Sequence, residues 1–169
     1  PWILLGLLGS TCAALVVGGF EATVAEAAIL ATLIPVVMGA AGNAGIQAAT
    51  VSIQAIGREE TLRDGVLPRL GREVAGAAMN GLAVGAAVAV AVASLGMAGL
   101  VADWPALALA CFLALAGVVL VAATVGAAVP FALDAARLDP AVSTSIFVTA
   151  INDVASILLF FTAAAMIYL

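Results

Sequence analysis

The sequence predicts an all-α membrane protein with five transmembrane helices, and three observations carry that prediction. Of its 169 residues 66% are apolar and only 9% are charged, and the mean hydropathy is +1.30. A water-soluble domain needs charge over much of its surface, whereas a bundle facing lipid needs it only in its loops. The third observation is the abundance of Gly and Ala beside few aromatics. This suits helices held through small residues, because burial against lipid tails supplies no hydrophobic drive.

A spanning helix needs roughly 20 mainly apolar residues. Charges and prolines mark off five such stretches, at about residues 2–20, 27–57, 74–102, 105–133 and 141–168. The first is uninterrupted. The second and third are long enough to tilt or to extend past the hydrocarbon. Arg58, Arg63, Arg69 and Arg72 fall between the second and third stretches, and Arg137 falls between the fourth and fifth. By the positive-inside rule those two connections are cytoplasmic, and the connections carrying Glu21, Glu26 and Asp103 are external. The amino terminus is then expected inside and the carboxyl terminus outside. The expected organisation is one transmembrane domain over residues 1–169, without a soluble sensor domain. Residue 1 is proline, so the natural start is expected to lie upstream.

The net charge of −5 is spread over loops and one span, and points to no nucleic-acid partner. Cys12 and Cys111 lie in apolar runs without CxxC spacing or any histidine. They read as fillers, with neither a zinc site nor a disulfide framework implied.

Polar residues inside the spans are few and fall into two clusters. In the second span Asn43, Gln47, Thr50 and Gln54 follow i, i+4, i+7, i+11, one stripe on a 3.6-residue helix. Gly39, Gly42 and Gly45 lie beside it, and Pro35 frees a carbonyl in the preceding turn. Any one of these polar groups is most simply a helix-to-helix hydrogen bond. Four in register point further, to a pore lining. The glycines match neither GxGxxG nor GxxxxGK[ST], so they do not suggest a nucleotide loop. Asn80, Ser94, Thr124 and Pro130 in the third and fourth spans are too sparse for a path and read as packing contacts.

The fifth span contains Asp153, the one ionisable residue placed so deep. A carboxylate there costs at least ~2.5 kcal/mol on insertion scales and usually marks an ion route. Ser145, Thr149, Asp153 and Ser156 share one helical face, flanked by Asn152. Every arginine belongs to a cytoplasmic connection, so no cation within the chain neutralises Asp153. It is protonated, hydrogen-bonded to polar neighbours, or compensated by a bound external cation, and the last is the favoured chemistry.

IPVVMGAAGNAGIQ, from Ile34 to Gln47, resembles the signature of the MgtE magnesium channels and their eukaryotic solute-carrier relatives. The opening PWILLGLL, then FEATVAE, GREVAGAAMNGLAVG and DPAVSTSIFVTAINDVASILLFF follow in the family's order. The resemblance implies a homodimer of five-helix subunits in a bacterial plasma membrane, with a central pore lined by the second and fifth helices. It implies that Asp153 is the principal ion-binding residue and that the Thr149 carbonyl, Ser145 and Asn43 accompany it. Gly39, Gly42, Gly45, Gln47, Thr50, Asn152 and Ser156 are then pore-lining. The transported ion implied is Mg2+, with Mn2+, Co2+ and Ca2+ as further candidates, and no cofactor is expected. Ile46 departs from the family pattern, in which a small polar residue is frequent at that position. Bacterial members commonly carry Mg2+-sensing domains ahead of the first span, so sensor-controlled gating is not expected of residues 1–169 alone.

Mg2+ sheds water reluctantly and prefers octahedral oxygen coordination. A pore with few carboxylates and many amides, hydroxyls and carbonyls therefore suits a largely hydrated ion. Two Asp153 groups across a twofold axis repel each other unless a dication sits between them. Two other readings compete with a channel: a carrier coupling Mg2+ to Na+ or H+, and a non-transporting scaffold whose polar stripes only lock helices. An intramembrane aspartyl protease needs two catalytic aspartates at depth. With one, no enzyme is expected.

Overall fold

A computed structural model describes residues 2–58 and 65–169; Arg63, used above for sidedness, lies outside them. Among the described residues the chain folds into six helices: α1 (Trp2–Gly19), α2 (Glu21–Glu26), α3 (Ile29–Gly57), α4 (Val66–Met97), α5 (Trp104–Ala135) and α6 (Pro140–Ile167). Four of them, α3 to α6, are long and apolar enough to cross a membrane. α1 is an apolar helix of 18 residues.

Helices occupy the five expected segments, four of them long and apolar enough to cross a membrane, and two segments differ from expectation. The third segment is a helix over Val66–Met97, not residues 74–102. Charge at Arg69, Arg72 and Glu73 suggested a loop, but a helix 32 residues long extends about 48 Å. It therefore carries its charged first turns beyond a hydrocarbon layer of ~30 Å. It stops early because Gly99 adopts φ 76°. The Gly99 N–H donates to the Gly96 carbonyl (2.9 Å) and the Leu100 N–H to the Leu95 carbonyl (3.0 Å), a Schellman ending that reverses the chain. The second correction is residues 21–26, expected as a bare connection and folded as α2.

α5 ends in the same way. Arg137 takes the left-handed position (φ 59°), its N–H donating to Asp134 and that of Leu138 to Leu133. α6 then starts at once, with the Asp139 carboxylate accepting from the Ala141 N–H at 2.8 Å and Pro140 in the first turn, where its missing N–H is no loss.

The bundle is organised around α5, which packs on α4, α6 and α3, whereas α3 and α4 scarcely touch. Contacts are made by backbone. A Cβ on Gly81 would stand 2.6 Å from the Ala116 carbonyl oxygen, and one on Gly85 the same distance from that of Phe112. This spacing shows α4 and α5 to be antiparallel. α3 meets α5 where a Cβ on Gly126 would strike the Gly45 carbonyl oxygen. Larger side chains fill the layer between: Leu107, Leu115 and Val118 of α5, Leu30 and Val37 of α3, and Ile157, Phe160 and Phe161 of α6 are all essentially inaccessible. α1 rides on α6. Gly9 abuts Ala150 and Phe20 stacks on Phe161 at 5.2 Å, the same sequence offset at both levels, so the two helices run parallel.

These directions gather the end of α3, the start of α4, the end of α5 and the start of α6 at one pole. Arg58, Arg69, Arg72 and Arg137 therefore cluster there, with Glu21 and Asp103 at the other pole.

Close approach at Gly126 distinguishes it from Gly39, whose Cβ would meet nothing. Gly126→Ala is expected to destabilise the fold by about 1–3 kcal/mol, the usual range for overpacking, while Gly39→Ala leaves stability unchanged. Thermal unfolding of the two purified variants in one detergent checks this.

Candidate functional site

Asp153 lies midway along α6, at a change in the helix's surroundings. Thr149 and Ser145, one and two turns nearer the arginine pole on the same face, are exposed. Beyond Asp153 that face is covered: Ser156, Ile157, Phe160 and Ala164 are buried under α1 and the start of α3. Asp153 itself is 9% exposed and so forms the inner end of an open polar face. The Ser156 hydroxyl is committed to the Asp153 backbone carbonyl (3.2 Å). Among the described residues none donates a hydrogen bond to the Asp153 carboxylate, and the described arginines, Arg58, Arg69, Arg72 and Arg137, stand at helix ends. Nor do those residues contain a group of three or more acidic or thiol side chains able to enclose a metal ion.

The neighbouring Asn152 points another way, because successive residues on a helix diverge by about 100°. It is 1% exposed. Its Nδ2 passes over Gly45, where a Cβ would collide with it, and donates to the Ala122 carbonyl at 3.4 Å. Its Oδ1 has no partner, and neither do the buried hydroxyls of Ser52 and Thr144. Of the predicted pore residues, the structure thus brings Asn152 and Gly45 together at a junction of α3, α5 and α6 inside the bundle.

The α3 stripe faces outward. Asn43, Gln47, Thr50 and Gln54 are exposed, as is Gly39, and Gly42 is half-exposed. The opposite face of α3, with Val37, Ala41, Ala48, Ser52 and Ala55, is buried. Glycines that read alike in sequence therefore separate, since Gly45 receives a neighbouring helix while a Cβ at Gly39 or Gly42 would meet nothing. The Thr50 hydroxyl bonds its own helix at the Ile46 carbonyl (2.8 Å).

Because α3 and α4 lean apart over α5, a cavity of about 650 Å³ opens between them. Asn43 and Gln47 form one wall, Glu73 and Asn80 another. Sequence reading passed over both α4 residues. Glu73 fell outside a segment begun at residue 74, and Asn80, expected as a packing contact, is exposed. Their i, i+7 spacing was the available signal, visible only once α4 is known to start at Val66.

Comparison with known proteins follows this layout. The MgtE family model, described as a divalent cation transporter, matches residues 34–163, from the signature in α3 to near the end of α6. The magnesium transporter MgtE of Enterococcus faecalis is 30% identical over 169 residues, covering 98% of this chain and 35% of that protein. The proteins of the same name from Bacillus subtilis and Thermus thermophilus are 26% and 28% identical, over 97% and 98% of this chain and again 35% of their own length. The chain spans about a third of the length of these relatives. A match running through α3, α4, α5 and α6, on a chain whose long helices are fit to cross a bilayer, places this membrane protein in the MgtE family of divalent cation transporters.

Proposed function

We propose that the chain forms the membrane pathway of a divalent cation channel, with Mg2+ as the principal ion. The observation that carries this reading is Asp153: a buried carboxylate, midway along an apolar helix, at the inner end of an open polar face and without a protein cation beside it. Such a group is costly in a membrane unless an ion compensates it. The names of the relatives, magnesium transporters, indicate which ion.

One carboxylate per chain cannot surround a dication, and a twofold assembly is the simplest source of a second. The outward stripe on α3 and the open face of α6 are the surfaces such a homodimer would turn to its axis. Asn43, Gln47, Thr50, Ser145 and the Thr149 carbonyl then line a water-filled path, with Gly39 and Gly42 opening its wall. Oxygen dipoles of this kind suit an ion that keeps most of its water. The two Asp153 carboxylates hold the hydrated ion by charge. Monovalent ions offset their mutual repulsion only half as well, which gives selection by valence.

α1 completes the crossing. Its 18 residues reach about 27 Å, close to the hydrocarbon thickness of ~30 Å, and it lies parallel to α6 over at least the interval from Gly9 to Phe20. Five crossings, with the arginine pole in the cytoplasm of a bacterial plasma membrane, leave the carboxyl terminus outside.

In a cysteine-free background, a cysteine at Gly57 is expected to react with a membrane-impermeant maleimide only from the cytoplasmic side, and one at Leu169 only from outside. The reverse pattern would overturn the orientation.

Asp153→Asn keeps size and hydrogen-bonding capacity while removing charge. It is expected to fold and to melt no lower than wild type in EDTA. Its Mg2+ uptake into liposomes should fall by about tenfold or more, the effect of losing ~1.4 kcal/mol of ion stabilisation, and discrimination against K+ should weaken. Asn43→Ala and Thr149→Ala should be milder, since an amide contributes less than a full charge and Thr149 acts through its carbonyl. Uptake by Asp153→Asn equal to wild type would remove Asp153 from the pathway.

A further inference from the structure

The cavity between α3, α4 and α5 holds a carboxylate that the pathway described above does not use. Its geometry is fixed at the arginine pole, where Nη2 of Arg69 in α4 reaches the Val51 carbonyl of α3 at 3.4 Å. Because the two helices run in opposite directions, one turn further from that pole brings Glu73 level with Gln47. About two turns beyond, Asn80 comes level with Ala40 and Asn43. All of these residues line the cavity. Glu73 is half-buried and Asn80, Asn43 and Gln47 are exposed to the space between the helices.

We infer that this cavity is a second cation site, holding a hydrated divalent ion beside the pore with Glu73 as its charged anchor. The donors facing it are one carboxylate and three carboxamides, an oxygen set that suits a hard cation and offers no imidazole or thiolate to a softer one. Size sets the mode of binding. Six waters occupy about 180 Å³ at ~30 Å³ each, so a cavity of about 650 Å³ accepts the ion with its first shell intact and further water around it. Contact is then outer-sphere, from bound water to Glu73 and to the carboxamide oxygens, and Mg2+ need not be stripped. Asn43 and Gln47 belong to both the cavity and the outward stripe, so an ion here is separated from the pathway only by those side chains. Glu73 has no hydrogen-bond or ion-pair partner among the described residues.

The inference rests on the divalent-cation reading of the chain, and the test separates the two. Mn2+ serves as the probe, with bound ion counted by electron paramagnetic resonance on the protein in nanodiscs. Wild type is compared with Glu73→Gln, Asp153→Asn and the double variant. Glu73→Gln is expected to bind one Mn2+ fewer per chain, and the same decrement should appear in the Asp153→Asn background. Asn80→Leu, which narrows the cavity and keeps the charge, should weaken that site severalfold and supplies the answer if Glu73→Gln does not fold. An unchanged count and affinity in Glu73→Gln overturns the inference. So does a melting point lowered without Mn2+ while the count is unchanged, the signature of a carboxylate that only pairs with Arg69. If Asp153→Asn loses transport while Glu73→Gln binds as wild type, the pore stands and the side site falls. If Asp153→Asn transports normally while Glu73→Gln loses an ion, the side site stands and the pore assignment falls.

Discussion

In a bilayer, two helices are held together only as well as their surfaces let their backbones meet, because lipid tails are as apolar as leucine. α5 is where this constraint is satisfied for α3, α4 and α6. Its Ala116 and Phe112 carbonyls lie against Gly81 and Gly85 of α4, and its Gly126 receives the Gly45 carbonyl of α3. Since α5 is the common partner of α3, α4 and α6, the relative placement of those helices is inherited from contacts at a few positions without side chains. The gap between α3 and α4 follows, because each is drawn to α5 and neither to the other.

The same junction governs α6. Asn152 is inserted over Gly45 towards the Ala122 carbonyl, which fixes the rotation of the helix. Asp153, one residue on, must then emerge about 100° away, at the edge of the open face. Adjacent polar residues thus have opposite duties, one turned into protein contacts and the other to whatever occupies that face. Asn152 Oδ1, Ser52 Oγ and Thr144 Oγ1 are buried without partners along the α3 and α6 seam. By contrast the hydroxyls of Thr50, Ser94 and Thr124 each bond a carbonyl of their own helix.

Much of this was legible in the sequence, for physical reasons. Apolar runs this long have few alternatives to spanning helices, and the spacing of Asn43, Gln47, Thr50 and Gln54 already placed them on one helical face. Less was legible where the information lay in neighbours. Gly39, Gly42 and Gly45 look equivalent in a string, and only the position of α5 and α6 singles out Gly45. Asn152 and Asp153 both read as polar residues at depth, and only the contact at Ala122 assigns one of them inward. Charge at Arg69, Arg72 and Glu73 predicts a loop, yet a helix longer than the membrane is thick carries these residues in its projecting turns. The wall that Glu73 gives the cavity becomes visible only with α4 starting at Val66.

The parallel pairing of α1 with α6 bears on how the bundle is made. α1 is the first of these helices to leave the ribosome and α6 the last. Gly9 and Ala150 lie far apart in the sequence, and at ~5–20 residues per second the interval between them takes on the order of ten seconds. Throughout that time α1 lacks the helix that will cover it. Closure of the bundle over the carboxyl-terminal half of α6 is therefore a late, non-local event, slower than the pairing of α4 with α5 across its short reversal. A chain interrupted before α6 leaves α1 unpaired, a form that quality-control proteases can recognise.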